Sequence, residues 1–416
     1  MHILKGGQIV VVDDNYAEAA PLLQALGKNG APHIYYTGAM EFLPETSLTG
    51  VRYIFLDIEL AGMQGQSPKN KASALTAVLQ KIISPNNGPC IVVFWTKHDE
   101  VIEQVKTNLS ATTIQPVAYI TADKRLCLAG DIEGISVHIE EKISTLGAFK
   151  LYVEWENVLA LASKEFVRDF ASLAAIGPQW SKETEKLFFR LYKAFVDQND
   201  LTDENEKFKC ACYLMNRSFV DALHAETNKS LRVPSGFSLN GGGEALSDEI
   251  KAKLNTSLFL SYHHMSRPST GYVFIARNDC LREMLAKKLF KRGAPPNSSQ
   301  LFQVLITPEC DLAQKKTLMV SDDIKMQQVV YGIFYKLEEL SLADELDRIN
   351  KSQSIYRIAP VWHEGAIHVF ALHFSTLSFI RENKLSAPVF SLNRDLVFDL
   401  QSKAANHLNR LGNYLL

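Results

Sequence analysis

"IVVVDDN", Ile9 to Asn15, decides how the rest of this chain is read. Four β-branched residues in a row describe a strand covered on both faces, as inside a parallel sheet. Asp13 and Asp14 then stand at its carboxyl end, where open α/β sheets gather their ligands. Adjacent carboxylates repel one another unless a cation or a proton relieves them. A polar strand end followed by a helix cap explains the same residues without any chemistry. The sequence downstream decides between the two.

The same design recurs. After a helical "NYAEAAPLLQALGKNG", with Leu22, Leu23 and Leu26 on one face, comes a short strand, "HIYYTG". In "VRYIFLDIELAGMQG" the apolar run Tyr53 to Leu56 again ends in a carboxylate, Asp57. "CIVVFWT" ends in the hydroxyl of Thr96, and the strand-like "PVAYIT" is followed by the cation Lys124. The helical "ASALTAVLQKII" and "EVIEQVKTNL" separate these strands, so the alternation predicts a doubly wound parallel sheet. In such a sheet Asp13, Asp14, Asp57, Thr96 and Lys124 converge on one edge. Three carboxylates suit Mg²⁺, which takes oxygen ligands and keeps several waters. Asp57 can then act as a carboxylate nucleophile toward phosphorus, with Thr96 and Lys124 binding the phosphoryl oxygens.

This order of residues resembles the receiver domain of bacterial two-component response regulators, a flavodoxin-like fold, over about residues 8–145. "VVDDN" matches the acid pair, "LDIELAGMQG" the segment from phosphoacceptor to loop glycine, and "FWT" the switch hydroxyl. The resemblance implies a phosphoprotein in a phosphorelay. Asp13, Asp14, Asp57 and the backbone carbonyl of Glu59 would ligate Mg²⁺, and Asp57 would be phosphorylated. Thr96 would be the switch residue, Lys124 the phosphate-binding lysine and Tyr119 the aromatic that moves with the switch. Trp95, next to Thr96, would report filling of the pocket. The implied partner is a histidine kinase with a GHKL-type ATPase. The chain departs from the family pattern at Arg125, where a proline usually follows the lysine, and in the position of Lys124, a few residues late. Leu60 and Ala61 replace Met-Pro, and "QSPKNKASALTAVL" lengthens the following loop.

At 416 residues the chain exceeds one ordinary core. A composition 46% hydrophobic and 22% charged is that of a globular protein, and a net charge of -2 gives no global attraction to nucleic acid or anionic membrane. No apolar run approaches the roughly 18 residues of a membrane span, so a cytoplasmic protein without membrane contact is expected. The six cysteines form no CxxC pair, which argues against a zinc ribbon or a thioredoxin-like site.

Three domains are expected: a receiver-like domain over 1–146, a helical linker or dimerisation domain over 147–228, and an α+β effector domain over 229–416. Leu151, Trp155, Val158, Ala162, Phe166, Phe170 and Leu173 fall at helical spacing. A second helix is expected from an N-cap at Ser181, burying Leu187, Phe188, Leu191, Tyr192 and Phe195, and a third over about 206–226. Such a bundle suits a homodimer contact or a relay between domains. "RVPSGFSLNGGG" lacks a nucleotide-binding glycine pattern and reads as a linker.

The remaining segments alternate strand and helix around a small bent sheet or barrel. There "TPECDLAQKK" places Cys310 and Asp311 just past an apolar strand, with His363, His368 and His373 as possible partners. They suggest an alternative reading, an effector enzyme gated by the receiver in stress or phage defence; a Cys-Asp pair also has innocent uses such as capping a turn. His368 and His373, five apart on one strand, face opposite sides. His263 and His264 have no metal spacing. "LREMLAKKLFKRG" carries Arg282, Lys287, Lys288, Lys291 and Arg292, a solvated face or a nucleic-acid contact. A third reading keeps the receiver as a scaffold that is never phosphorylated. No dedicated catalytic activity is expected beyond the receiver's part in its own phosphorylation and dephosphorylation.

Overall fold

The computed structural model describes residues 8–96, 101–125, 137, 139, 141, 143–196, 203–234, 236–238, 245–262, 269–290, 298–308, 319–321, 324–339 and 354–412. The chain divides into two compact units, Met1–Phe188 with Ala211–Gly241, and Phe189–Cys210 with Gly242–Leu416.

The first unit is built on five strands, β1 (Gln8–Val12), β2 (His33–Tyr36), β3 (Val51–Leu56), β4 (Ile91–Thr96) and β5 (Ala118–Asp123). They pair in parallel in the order β2-β1-β3-β4-β5, the flavodoxin-like order whose topological switch point lies between β1 and β3. Helices α1 (Tyr16–Lys28), α2 (Pro68–Ile82) and α3 (Ile102–Ser110) cover the sheet. Alternate residues of one strand serve two cores, as a doubly wound sheet requires. Val10, Val12, Ile54, Leu56, Val92 and Phe94 pack with α2 and α3. Ile9, Val11, Tyr53, Phe55, Val93 and Trp95 pack with α1. Burying each of these large side chains contributes about 1.5–3 kcal/mol.

The second core also takes Phe149 and Val153 from α4 (Gly147–Ala171). Phe149 meets Tyr53 edge-on at 5.6 Å. Glu156, two turns on, is gripped by the Nε and Nη2 of Arg52 at the start of β3, with Nε 2.9 and 3.0 Å from its oxygens. Arg52 Nη1 donates to the carbonyls of Val51, Asn87 and Pro89, which is why this guanidinium tolerates burial. The start of the glycine-rich stretch is held in place. Gly236, at φ +81°, lies where a Cβ would stand 2.6 Å from the Ser144 carbonyl, and Gly147 approaches the Gly236 backbone as closely.

Two more helices follow, α5 (Trp180–Val196) and α6 (Glu204–Ser230). Ser181 lies inside the first turn of α5 rather than at its cap, its Oγ 3.4 Å from Glu185. Of the residues expected to be buried along α5, Tyr192 is fully so, while Leu187, Phe188 and Leu191 are half-buried. Trp155 of α4 and Leu173, just past its end, are exposed. Phe166 packs on Phe219, and Phe170 on Phe188.

The second unit holds a curled antiparallel sheet in the order β11-β12-β10-β8-β7-β14-β6, with β9 and β13 also paired to β10. Its strands are β6 (Leu260–Ser261), β7 (Tyr272–Ile275), β8 (Gln300–Leu305), β9 (Met319–Ser321), β10 (Ile324–Lys336), β11 (Ile355–His363), β12 (Ala366–His373), β13 (Ser378–Arg381) and β14 (Phe390–Leu392). Helix α7 (Asp248–Phe259) packs on β11, α8 (Asp279–Leu289) seals one face through Leu285 and Leu289, and α9 (Arg394–Gly412) the other through Val397 and Leu400. Cys310, Asp311, His263, His264, Lys291 and Arg292 lie outside the described residues. Among those described, no helix is long and apolar enough to cross a membrane.

Candidate functional site

Register alone brings the acidic residues together. Val12 of β1 stands opposite Leu56 of β3, so Asp13 and Asp57 are the next pair as both strands run out. Asp13 N donates to the Tyr36 carbonyl at 3.0 Å and Asp57 N to the Val12 carbonyl at 2.9 Å, which fixes both backbones. Thr96 closes β4 opposite Asp123, the last residue of β5. The strand expected over 116–121 is displaced to 118–123, and this displacement puts Lys124 at the sheet edge directly after β5.

The helix cap that competed for the opening carboxylates is Asn15. Its Oδ1 accepts from Ala17 N at 3.2 Å, while Asp13 Oδ1 accepts from Asn15 N at 2.9 Å. Asp13 and Asp14 are therefore not needed to start α1. Single carboxylate oxygens of Asp13, Asp14 and Asp57 lie within 4.8 Å of one another. Octahedral Mg²⁺ with oxygens at about 2.1 Å spans about 4.2 Å between opposite ligands, a distance of the same order as that separation. The donor set, all hard oxygen, fits that ion. The Glu59 N–H donates to Asp57 Oδ1 at 3.3 Å, wrapping the loop around that carboxylate, and the Glu59 side chain turns to Lys71 at 2.5 Å. Gly38, at φ +80°, lets the turn after β2 lie against Leu60 of that loop.

Lys124 is buried at the centre of the cluster, its Nζ 2.7 Å from Asp13 Oδ2, 2.8 Å from Asp57 Oδ2 and 2.8 Å from Glu18 Oε2. Burial by itself lowers an ammonium pKa; here the contacts with Asp13, Asp57 and Glu18 outweigh it and the net shift is upward. Asp13 shows the opposite balance. Burial holds its carboxyl above the usual range against the pull of Lys124, and Asp14 is raised by burial and by the Asp57 charge.

Thr96 is buried on the same face of β4 as Phe94, which stacks on Tyr119 at 6.0 Å and 11°. Trp95 points to the other face, fully buried and edge-on to Phe55 at 6.2 Å.

Two contributors are absent from the sequence reading. Tyr35 donates its hydroxyl to the Asp13 carbonyl at 2.5 Å. Glu18 stands three residues after the cap Asn15, a spacing that reads as an innocent capping box and hides its turn toward Lys124.

In the second unit the histidines separate by face. His363 and His368 lie 5.8 Å apart beside Phe334, with Tyr262 Oη 2.9 Å from His363 Nδ1. His373, on the other face, accepts from Ser375 N at its Nδ1, and Lys288 Nζ meets Ser375 Oγ at 2.7 Å.

No family model matches the chain, and no curated protein matches it. Among solved structures it is similar to the signal receiver domain of a putative Luxo repressor protein from Vibrio parahaemolyticus, at 15% identity over 33% of this chain and 96% of that one, with a TM-score of 0.18. It is similar to the response regulator StyR at 14% identity, over 54% of this chain and 91% of that one, with a TM-score of 0.20. A fusion to the yeast Spc42 trimeric coiled coil matches at 21% identity over 33% and 84%, with a TM-score of 0.18. Independently of these likenesses, the five-stranded parallel sheet and its strand order fit a receiver fold.

Proposed function

We propose that this chain is a response-regulator-like signalling protein whose N-terminal domain accepts a phosphoryl group on Asp57. The supporting observation is the convergence of Asp13, Asp14, Asp57 and Lys124 at the β1/β3 switch point of the sheet. An Asp57 oxygen attacks phosphorus, the O–P bond forms as the donor's P–N bond breaks, and the electron pair leaves with the donor imidazole, which takes up a proton. Asp13, Asp14, Asp57 and the Glu59 carbonyl would hold Mg²⁺, which when bound screens the carboxylates and polarises the phosphoryl group. Lys124 neutralises the charge of the phosphoryl oxygens, and the Thr96 hydroxyl donates to one of them. The donor chemistry implies a partner histidine kinase. The helical segment 147–228 would pass the state of the site to an effector in residues 229–416, with a homodimer contact as one means.

The test is intact mass after incubation with Mg²⁺ and acetyl phosphate. One added phosphoryl group in the wild type and none in Asp57→Asn is the expected result. Equal incorporation in both proteins, or none in either, contradicts the assignment.

A further inference from the structure

Resting on the phosphoacceptor reading, the geometry points to Glu18 as a positioning residue that competes with the phosphoryl group of Asp57 for the ammonium of Lys124. An ammonium has three N–H donors. Three carboxylates surround this one, Asp13, Glu18 and Asp57, each at 2.7 or 2.8 Å. Asp14 stands beside Asp13 and Asp57 in the same cluster and adds a further negative charge.

Asp13 and Asp57 belong to the metal and acceptor cluster; Glu18 does not. It comes from the first turn of α1, with a side chain 27% exposed at the mouth of the site, whereas that of Lys124 is 2% exposed. A phosphoryl group on Asp57 needs Lys124 for its own oxygens, and Glu18 brings a negative charge against the same donor. Glu18 therefore favours the unmodified state, in which Lys124 stays among the carboxylates. Removing its charge releases the ammonium toward the phosphoryl position, so the phosphorylated state gains.

The test uses the full chain and beryllofluoride with saturating Mg²⁺, its affinity measured by calorimetry. Glu18→Gln is expected to bind about fivefold tighter than wild type, the size of one partly exposed ion pair. Glu18→Ala must shift the affinity in the same direction. In a Lys124→Met background the gain from Glu18→Gln should disappear, because the competition acts through the ammonium. Asp123, held by Arg125 at the end of β5, is the charge control, and Asp123→Asn should leave the affinity within about twofold. Unchanged or weaker binding by Glu18→Gln overturns the inference. So does a gain that survives in Lys124→Met or is matched by Asp123→Asn, since either marks bulk charge repulsion. In those cases the wild type still binds beryllofluoride and the phosphoacceptor reading stands; a wild type that binds none overturns both.

Discussion

At the edge of the N-terminal sheet, Lys124 keeps its charge under burial because carboxylates gather round it; in the C-terminal sheet, buried histidines give their charge up. Lys124 is raised by its three carboxylate contacts although burial opposes it. His363 and His368, packed among Phe334, Tyr262 and Phe390, are pushed down by burial. His373 is pushed to about 4 by burial and by the neighbouring Lys288 and His407. A pre-charged cluster with a surplus of carboxylates is a place to bind a cation and a phosphoryl group. Neutral imidazoles stacked on phenyl rings are a way to fill a core. The contrast supports the reading of the first cluster as the functional one.

Removing the central cation breaks the comparison most severely. Lys124→Met leaves Asp13 and Asp57 buried without their counter-charge, at a cost of about 3–5 kcal/mol. Urea midpoints measure it, and Mg²⁺ should restore more stability to this variant than to the wild type because the ion replaces the lost charge. A midpoint unchanged by the substitution would show that the carboxylates do not depend on Lys124.

The second prediction sharpens the other side. His373 has a folded pKa of about 4 against 6.5 when free, so the unfolded chain binds a proton the folded chain refuses. Its contribution is complete above pH 6.5 and is lost as pH falls from there to about 4, with a ceiling of about 3 kcal/mol. His363 and His368, shifted the same way, add to the loss. His373→Asn keeps an acceptor for Ser375 N but cannot titrate, so its stability between pH 7 and 4.5 should fall by about 2 kcal/mol less than the wild type's. Equal acid sensitivity in both proteins would remove His373 from the account.

The same contrast explains what is legible in the sequence. The parallel sheet is readable because β1, β3 and β4 are buried on both faces, and unbroken apolar runs ending in Asp13, Asp57 and Thr96 are unusual elsewhere. Glu18 is not readable, since its spacing from Asn15 already has a local explanation. Helix α7 escapes because its apolar pattern is inverted: Ile250, Leu254 and Leu258 are exposed, and the buried position is Ala252. Strands β6, β13 and β14, of two, four and three residues, are too short to show a period and exist through pairing with distant strands. Ser181 has the chemistry of a cap, but the helix begins one residue earlier, at Trp180.

The most direct measurement is a calorimetric Mg²⁺ titration of the full chain beside Asp13→Asn and Asp57→Asn. One ion per wild-type chain, with binding lost in both variants, is the predicted result. Absence of binding at millimolar Mg²⁺, or binding that neither substitution alters, would contradict a divalent-cation site at this sheet edge.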